Sequence, residues 1–273
     1  MVGWGVADIL IKLSVERIGV AKTVFFTQII SLLPVSIYAT FFMGWPLISR
    51  QVLLLAVLMG FFNVLSCLAF FKGLQVGKVS LISPIGAAWG ALLAILGVVL
   101  LKEQLTSLQS VGITLTVVGV ILASTNLKMS AGRGERLIAG VEYALLALFG
   151  WAATFLLMKF IVEDLGPIIT LLLLRLTGAL FVVPFFKSKS APRRFSWRHM
   201  TLLLVALALL DSVAYIAYNF GVSGGYVSIV GPIAASYPAI TVILARIFFK
   251  ERTVLNQGFG IASILAGLIL ISL

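Results

Sequence analysis

The sequence predicts an all-α integral membrane protein of ten transmembrane helices, arranged as two inverted-topology five-helix repeats with a short first helix. Three observations carry this. The 273 residues are 61% hydrophobic and only 11% charged, with a mean hydropathy of +1.17, whereas a soluble domain holds roughly 25% charged residues. Apolar segments recur along the whole chain, so a single signal peptide does not account for them. The two halves of the chain also repeat in register.

Each span needs roughly 20 apolar residues to cross a hydrocarbon core of about 30 Å. Such segments run at about 1–13, 23–43, 52–71, 79–101, 107–127, 138–158, 168–186, 199–219, 227–249 and 255–273. The first is the short one. Turn-forming residues separate them: Gly44-Trp45-Pro46, Gly73 to Gly77, Gly132 to Gly134, Gly166-Pro167, Ala191-Pro192 and Gly221 to Gly225. At an offset of 147, Trp4, Lys12, Glu16 and Gly19 match Trp151, Lys159, Glu163 and Gly166. One inserted residue makes the offset 148 thereafter. Gly73, Gly77, Val79, Ser80, Pro84 and Ile85 then match Gly221, Gly225, Val227, Ser228, Pro232 and Ile233. Lys102, Glu103, Gln109, Gly112 and Gly119 match Lys250, Glu251, Gln257, Gly260 and Gly267. The halves are therefore 1–130 and 131–273. Five spans is an odd number, so the second half enters the membrane from the opposite side, an arrangement common in carriers that alternate access around a central site.

Lys and Arg gather in loops 1–2, 3–4, 5–6, 7–8 and 9–10, the densest run being Lys187, Lys189, Arg193, Arg194 and Arg198. Only Arg50, Lys102 and Lys159 face the other side. The positive-inside rule puts the basic loops in the cytoplasm of an inner (plasma) membrane and both termini outside. The net charge of +11 is thus read as membrane anchoring against anionic lipid, and nucleic acid is excluded as a partner.

The doubled motifs carry a resemblance. Trp4-Gly5 with Lys12, Gly150-Trp151 with Lys159, Pro84 and Pro232, Lys102-Glu103 and Lys250-Glu251, and Gln109 with Gly112 beside Gln257 with Gly260 recur in order. On these the chain resembles the EamA-type branch of the drug/metabolite transporter superfamily over essentially its full length. The resemblance implies ten helices in two inverted five-helix repeats and proton- or gradient-linked movement of metabolites, often amino-acid export. The first span lacks the N-terminal half usual in that family, and family members more often have cytoplasmic termini.

Polar groups inside spans mark the candidate site, because a charge at the bilayer centre costs roughly 2.5–3.5 kcal/mol on insertion scales. Asp211 lies deep in span eight and its repeat mate is Asn63; Arg175 in span seven has Gln28 as its mate. On the functional reading Asp211 carries a proton or meets an amine, and Arg175 meets a carboxylate. The structural alternative pairs these two with each other, or with Asp8 or Glu142, to fix packing. Trp89 and its mate Tyr237, Tyr215 and Tyr218 beyond Asp211, and the matched Trp4 and Trp151 are expected to line the cavity. Pro84 and Pro232 interrupt helical hydrogen bonding and are candidate gates or kinks.

With Cys67 the one cysteine and His199 the one histidine, no metal site and no cofactor is expected, beyond coupling to protons. No phosphate-binding G-x-x-x-x-G-K-[ST] motif is present, so transport would run on a gradient. The expected substrate is a small metabolite such as an amino acid; a cationic drug, or a sugar phosphate or nucleotide sugar, is the alternative. An intramembrane serine hydrolase using Ser223, in Gly221-Val222-Ser223-Gly224-Gly225, would require His199 as its base. A monomer or homodimer in the lipid bilayer is expected.

Overall fold

The computed structural model describes residues 1–124, 139–187, 197–251 and 255–273. Every regular element among them is helical: α1 Val2–Ile18, α2 Val20–Phe42, α3 Arg50–Val76, α4 Val79–Ala87, α5 Trp89–Leu101, α6 Ser107–Ser124, α7 Val141–Val182, α8 Trp197–Gly224, α9 Val227–Ala234, α10 Pro238–Phe248 and α11 Leu255–Ser272, with a 3-10 turn over Val183–Lys187 after α7. Among the described residues six stretches are long and apolar enough to cross a membrane: Val20–Phe42, Arg50–Val76, Val79–Leu101, Val141–Phe186, Arg198–Gly224 and Val227–Phe248. Large apolar side chains such as Phe41, Leu54, Phe149, Leu180 and Ile247 face outward, which hydrocarbon permits and water would penalise. The chain is a multi-pass membrane protein. The expected boundary at 130–131, the Gly132–Gly134 and Ala191–Pro192 turns, and Lys189, Arg193 and Arg194 lie outside the described residues.

Helix ends differ from the sequence expectation where side chains satisfy orphan backbone groups. The first helix runs on past its expected end near residue 13, through Glu16 to Ile18. Lys12 Nζ donates to the carbonyls of Leu74, Gln75 and Gly77 at 2.6, 3.2 and 3.3 Å, so its charge is spent on the C-terminus of α3, where cations are favoured. Lys159 does the same for α8, donating to Val222 O at 2.7 Å and Gly225 O at 3.2 Å. At α6, Thr106 and Gln109 exchange backbone and side-chain bonds of 2.9 and 3.2 Å, a reciprocal cap that starts the helix. The side chain of Gln257 lies outside the described residues.

Breaks fall at matching positions. Gly19, between α1 and α2, has φ 86 and ψ 164; its mate Gly166, inside α7, has φ 76 and ψ 172. The expected Gly166-Pro167 loop is thus a one-residue turn in otherwise continuous helix, with Pro167 opening the next stretch, where it loses no intrahelical bond. Gly166→Ala and Gly19→Ala are each expected to destabilise by about 1–2 kcal/mol through left-handed backbone strain, read as a lower midpoint in thermal aggregation of detergent-purified protein. Gly44→Ala, at a glycine with open space and no positive φ, should leave the midpoint unchanged.

α4–α5 cross α9–α10 at small residues: a Cβ at Gly90 would lie 2.5 Å from that of Ala235 and 3.0 Å from Gly231 O. Antiparallel α6 and α11 meet through Gly112 against Gly267 and Gly119 against Gly260, with 2.6 and 2.7 Å between a built Cβ and the opposing carbonyl. Between membrane helices such close backbone approach supplies the packing attraction that apolar side chains alone cannot, since lipid is equally apolar.

Candidate functional site

A polar cluster lies where α1, α2, α3, α7 and α8 converge, closed by Trp89 from α5 and Tyr237 before α10. These surround a cavity of about 600 Å³ of unfilled space, mouth included. At its centre Arg175 Nη2 meets Asp211 Oδ2 at 2.6 Å, with the Arg175 side chain 2% and the Asp211 side chain 17% exposed. The other Asp211 oxygen accepts Trp4 Nε1–H at 2.9 Å. Arg175 Nη1 donates to Gln28 Oε1 at 3.1 Å, and the guanidinium carbon sits 4.8 Å from the centre of the Tyr215 ring, a cation–π distance. Tyr215 in turn donates its hydroxyl to Asn63 Oδ1 at 3.1 Å.

The ionic pair thus joins the two symmetric polar positions into one network: Gln28 touches its own repeat mate Arg175, and Asn63 reaches Asp211's surroundings through Tyr215. Arg175 Nε, Asn63 Nδ2 and Trp151 Nε1 are buried without a hydrogen-bond partner among the described residues. Buried donors of this kind are costly unless water or a ligand meets them.

Aromatic rings form the rest of the wall. Trp4 packs edge-on against Trp89, Phe155, Tyr215 and Tyr237 with centroids 6.2, 5.8, 5.3 and 5.9 Å away. Trp89 and Phe155 stack at 4.0 Å. Trp151 lines the opposite side against Phe70 at 4.8 Å.

Of the expected residues, Asp211, Arg175, Gln28, Trp89, Tyr237, Tyr215, Trp4 and Trp151 line the cavity. Asn63 and Tyr218 stand behind it, Tyr218 against Phe155 at 4.6 Å. Pro84 and Pro232 lie buried within α4 and α9, away from the wall; Pro84 follows Ser83, whose hydroxyl reaches Asp8, and Pro232 packs beneath Gly90. Asn219 points elsewhere, donating to Pro167 O at 2.9 Å. Glu142 is at the first turn of α7, and Arg246 is an exposed residue in the last turn of α10, a position that lets its head reach the interface.

Among the wall residues that escaped the sequence reading as ligand-facing groups, Asp8 and Phe155 are the most informative. Asp8 lines the cavity, accepting hydroxyls from Ser83 and, at 3.0 Å, Thr241; Phe155, its repeat mate at offset 147, is the ring at the centre of the aromatic cluster. The signal was helical spacing, since each lies one turn beyond the matched Trp4 and Trp151.

The serine-hydrolase alternative fails on geometry. His199 and Ser223 are on the same helix, α8, 24 positions apart and so roughly 36 Å apart at 1.5 Å per residue. Ser223 Oγ donates instead to Phe220 O at 2.8 Å.

A multi-pass helical protein holding an ion pair and indole donors in an aromatic cavity has the construction of a small-molecule carrier. The chain matches the EamA-like transporter family over residues 1–125 and 138–273 and belongs to that family. It is 26% identical over 225 residues to an uncharacterized transporter of Archaeoglobus fulgidus, covering 81% of this chain and 76% of that protein. It is 25% identical over 230 residues to the uncharacterized transporter YxxF of Bacillus subtilis, covering 81% and 70% respectively. A solved crystal structure is similar with a TM-score of 0.67 at 15% identity, covering 98% of this chain and 94% of the other, a likeness of fold.

Proposed function

We propose that this membrane transporter is a gradient-driven exporter of small zwitterionic metabolites, amino acids in the first place. The observation that carries the reading is the Arg175–Asp211 pair, one cation and one anion 2.6 Å apart on an aromatic-walled cavity. A zwitterion can exchange partners with such a pair, its carboxylate taking Arg175 and its ammonium taking Asp211, without leaving either charge bare in low dielectric. Sugar phosphates and nucleotide sugars fit less well, because Arg175 is the one cationic residue on the cavity wall among the described residues. A simple cationic drug would leave Arg175 without its countercharge.

On this reading the fold is ten spans in two inverted five-helix repeats, 1–130 and 131–273. It counts α4 with α5 and α9 with α10 as one span each, and divides α7 at Gly166. Three features support it: matched backbone geometry at Gly19 and Gly166, matched lysine contacts from Lys12 and Lys159, and the antiparallel glycine contact of α6 with α11. Rocking of one repeat against the other then alternates access to the pair, with the basic loops on the cytoplasmic side of the inner membrane and a monomer or homodimer as the working unit.

Counterflow in proteoliposomes loaded with unlabelled amino acids tests the reading. Labelled substrate of one amino-acid class should accumulate transiently above its external level, while sugar phosphates and quaternary amines should not. Accumulation of a sugar phosphate instead would overturn the substrate class, and none with any probe would overturn the carrier itself.

A further inference from the structure

The cavity holds a second carboxylate that the ion pair does not use. Asp8 is 3% exposed and lines the same cavity as Arg175 and Asp211. Its Oδ2 accepts the Ser83 hydroxyl of α4 and the Thr241 hydroxyl of α10. No cation among the described residues forms an ion pair with it. Arg175, from α7, is committed to Asp211 of α8. Lys12, one turn along α1, is committed to the α3 carbonyls and to Glu16 at 3.3 Å. The other groups on the cavity wall are Tyr215 from α8, Cys67 from α3, Thr27 and Gln28 from α2, and Tyr237 at the start of α10. None supplies a positive charge. Among the described residues the wall therefore carries two carboxylates and one cation.

We propose that Asp8 is the proton-binding site that couples this transporter to the pH gradient; this rests on the carrier reading above. Burying an ionised carboxylate with no countercharge is among the costliest arrangements in a protein interior, and a proton removes that cost where no other cation can reach. The hydroxyls around Asp8 accommodate both states. Thr241 Oγ1 has one hydrogen and three acceptors within reach: Asp8 Oδ2 at 3.0 Å, Gly5 O at 3.2 Å and Tyr237 O at 3.5 Å. With Asp8 ionised, Thr241 gives its hydrogen to the carboxylate. With Asp8 protonated, the carboxyl donates to Thr241 Oγ1, which turns its hydrogen to Gly5 O. No bond is lost, and α10 then grips α1 at two points, Asp8 and Gly5. Ser83 belongs to the first half of the chain and Thr241 to the second, so the proton acts where the halves meet on α1. Asp211, already balanced by Arg175, is left free for substrate.

The first test needs no substrate. In infrared difference spectra of purified protein titrated with acid, wild type should show the C=O stretch of a protonated carboxyl group. Asp8→Asn should abolish that band, Asp211→Asn should leave it, and Thr241→Val should shift its frequency by altering the hydrogen bond. The second test uses liposomes and the labelled amino acid that wild type exchanges. One pH unit is a tenfold proton ratio, so one-for-one coupling supports about tenfold accumulation in wild type. In Asp8→Asn this accumulation, divided by the same variant's counterflow, should fall to about onefold, and Asp8→Glu should restore part of it. A titrating band that survives Asp8→Asn, or no band in wild type, overturns the proposal. Absence of counterflow in wild type would instead count against the carrier reading, while the infrared result still decides whether Asp8 takes the proton.

Discussion

Asp211→Asn is expected to abolish counterflow and to destabilise the protein by about 3–5 kcal/mol, the range found when one member of a buried ion pair is removed. Arg175 is the reason. Its side chain is 2% exposed, and without Asp211 its remaining named partners are the neutral Gln28 oxygen and the Tyr215 ring. Arg175→Gln should be milder in stability, because Asp211 is 17% exposed and keeps its bond from Trp4. Both singles should lose transport. The double variant Arg175→Gln/Asp211→Asn should recover most of the lost stability while remaining inactive, since neither charge is then stranded. A double-mutant cycle of melting midpoints in detergent, run beside counterflow, separates these effects. Additive stability losses, with no recovery in the double, would mean the pair contributes no coupling and its place in the site would have to be given up.

The helical multi-pass class was legible from the apolar pattern. One contact was legible from the internal register: Gln28 and Arg175 are mates at offset 147 in the sequence, and in space they touch at 3.1 Å. The helix ends were less legible, because they depend on distant carbonyls. The apolar pattern ends the first span near residue 13, at Lys12 and before Glu16. The structure keeps them helical because the termini of α3 need a cation there, and Lys12 finds them 62 to 65 residues away.

Asp8 shows the converse failure. A search for matched polar positions favours Asp211 with Asn63 and passes over an aspartate whose mate is Phe155. What gives Asp8 its place is the meeting of Ser83 on α4 with Thr241 on α10, and helix crossing is not written in the local pattern of either segment. Pro84 and Pro232, read as candidate gates or kinks from their missing N–H groups, lie buried within α4 and α9.

That crossing also locks the ends of the same helices. Glu103, just after α5, accepts the backbone N–H groups of Val227 and Ser228 at 3.0 and 2.9 Å, capping α9. Glu251, just after α10, accepts those of Val79 and Ser80 at 3.0 and 2.8 Å, capping α4. Each carboxylate satisfies two orphan donors of the helix it faces and sits against the positive end of that helix's dipole. Lys102 and Lys250 precede them with φ 60 and φ 52, the left-handed conformation that turns each glutamate back towards its partner helix. Glu103→Gln should cost about 2–4 kcal/mol: charge-assisted bonds are worth roughly 1.5–3 kcal/mol each, and the amide keeps one acceptor while aiming an NH₂ group at a backbone N–H. Glu251→Gln should cost less, because Glu103 is 8% exposed and Glu251 more so. Lys102→Gly, which relieves left-handed strain and keeps the carboxylate, should be neutral or slightly stabilising. Thermal midpoints of the three variants decide the matter. If Lys102→Gly falls as far as Glu103→Gln, the lysine side chain rather than the cap holds this end of the crossing. If neither moves, the caps contribute little and this crossing is held by the small-residue contacts of α5 with α9.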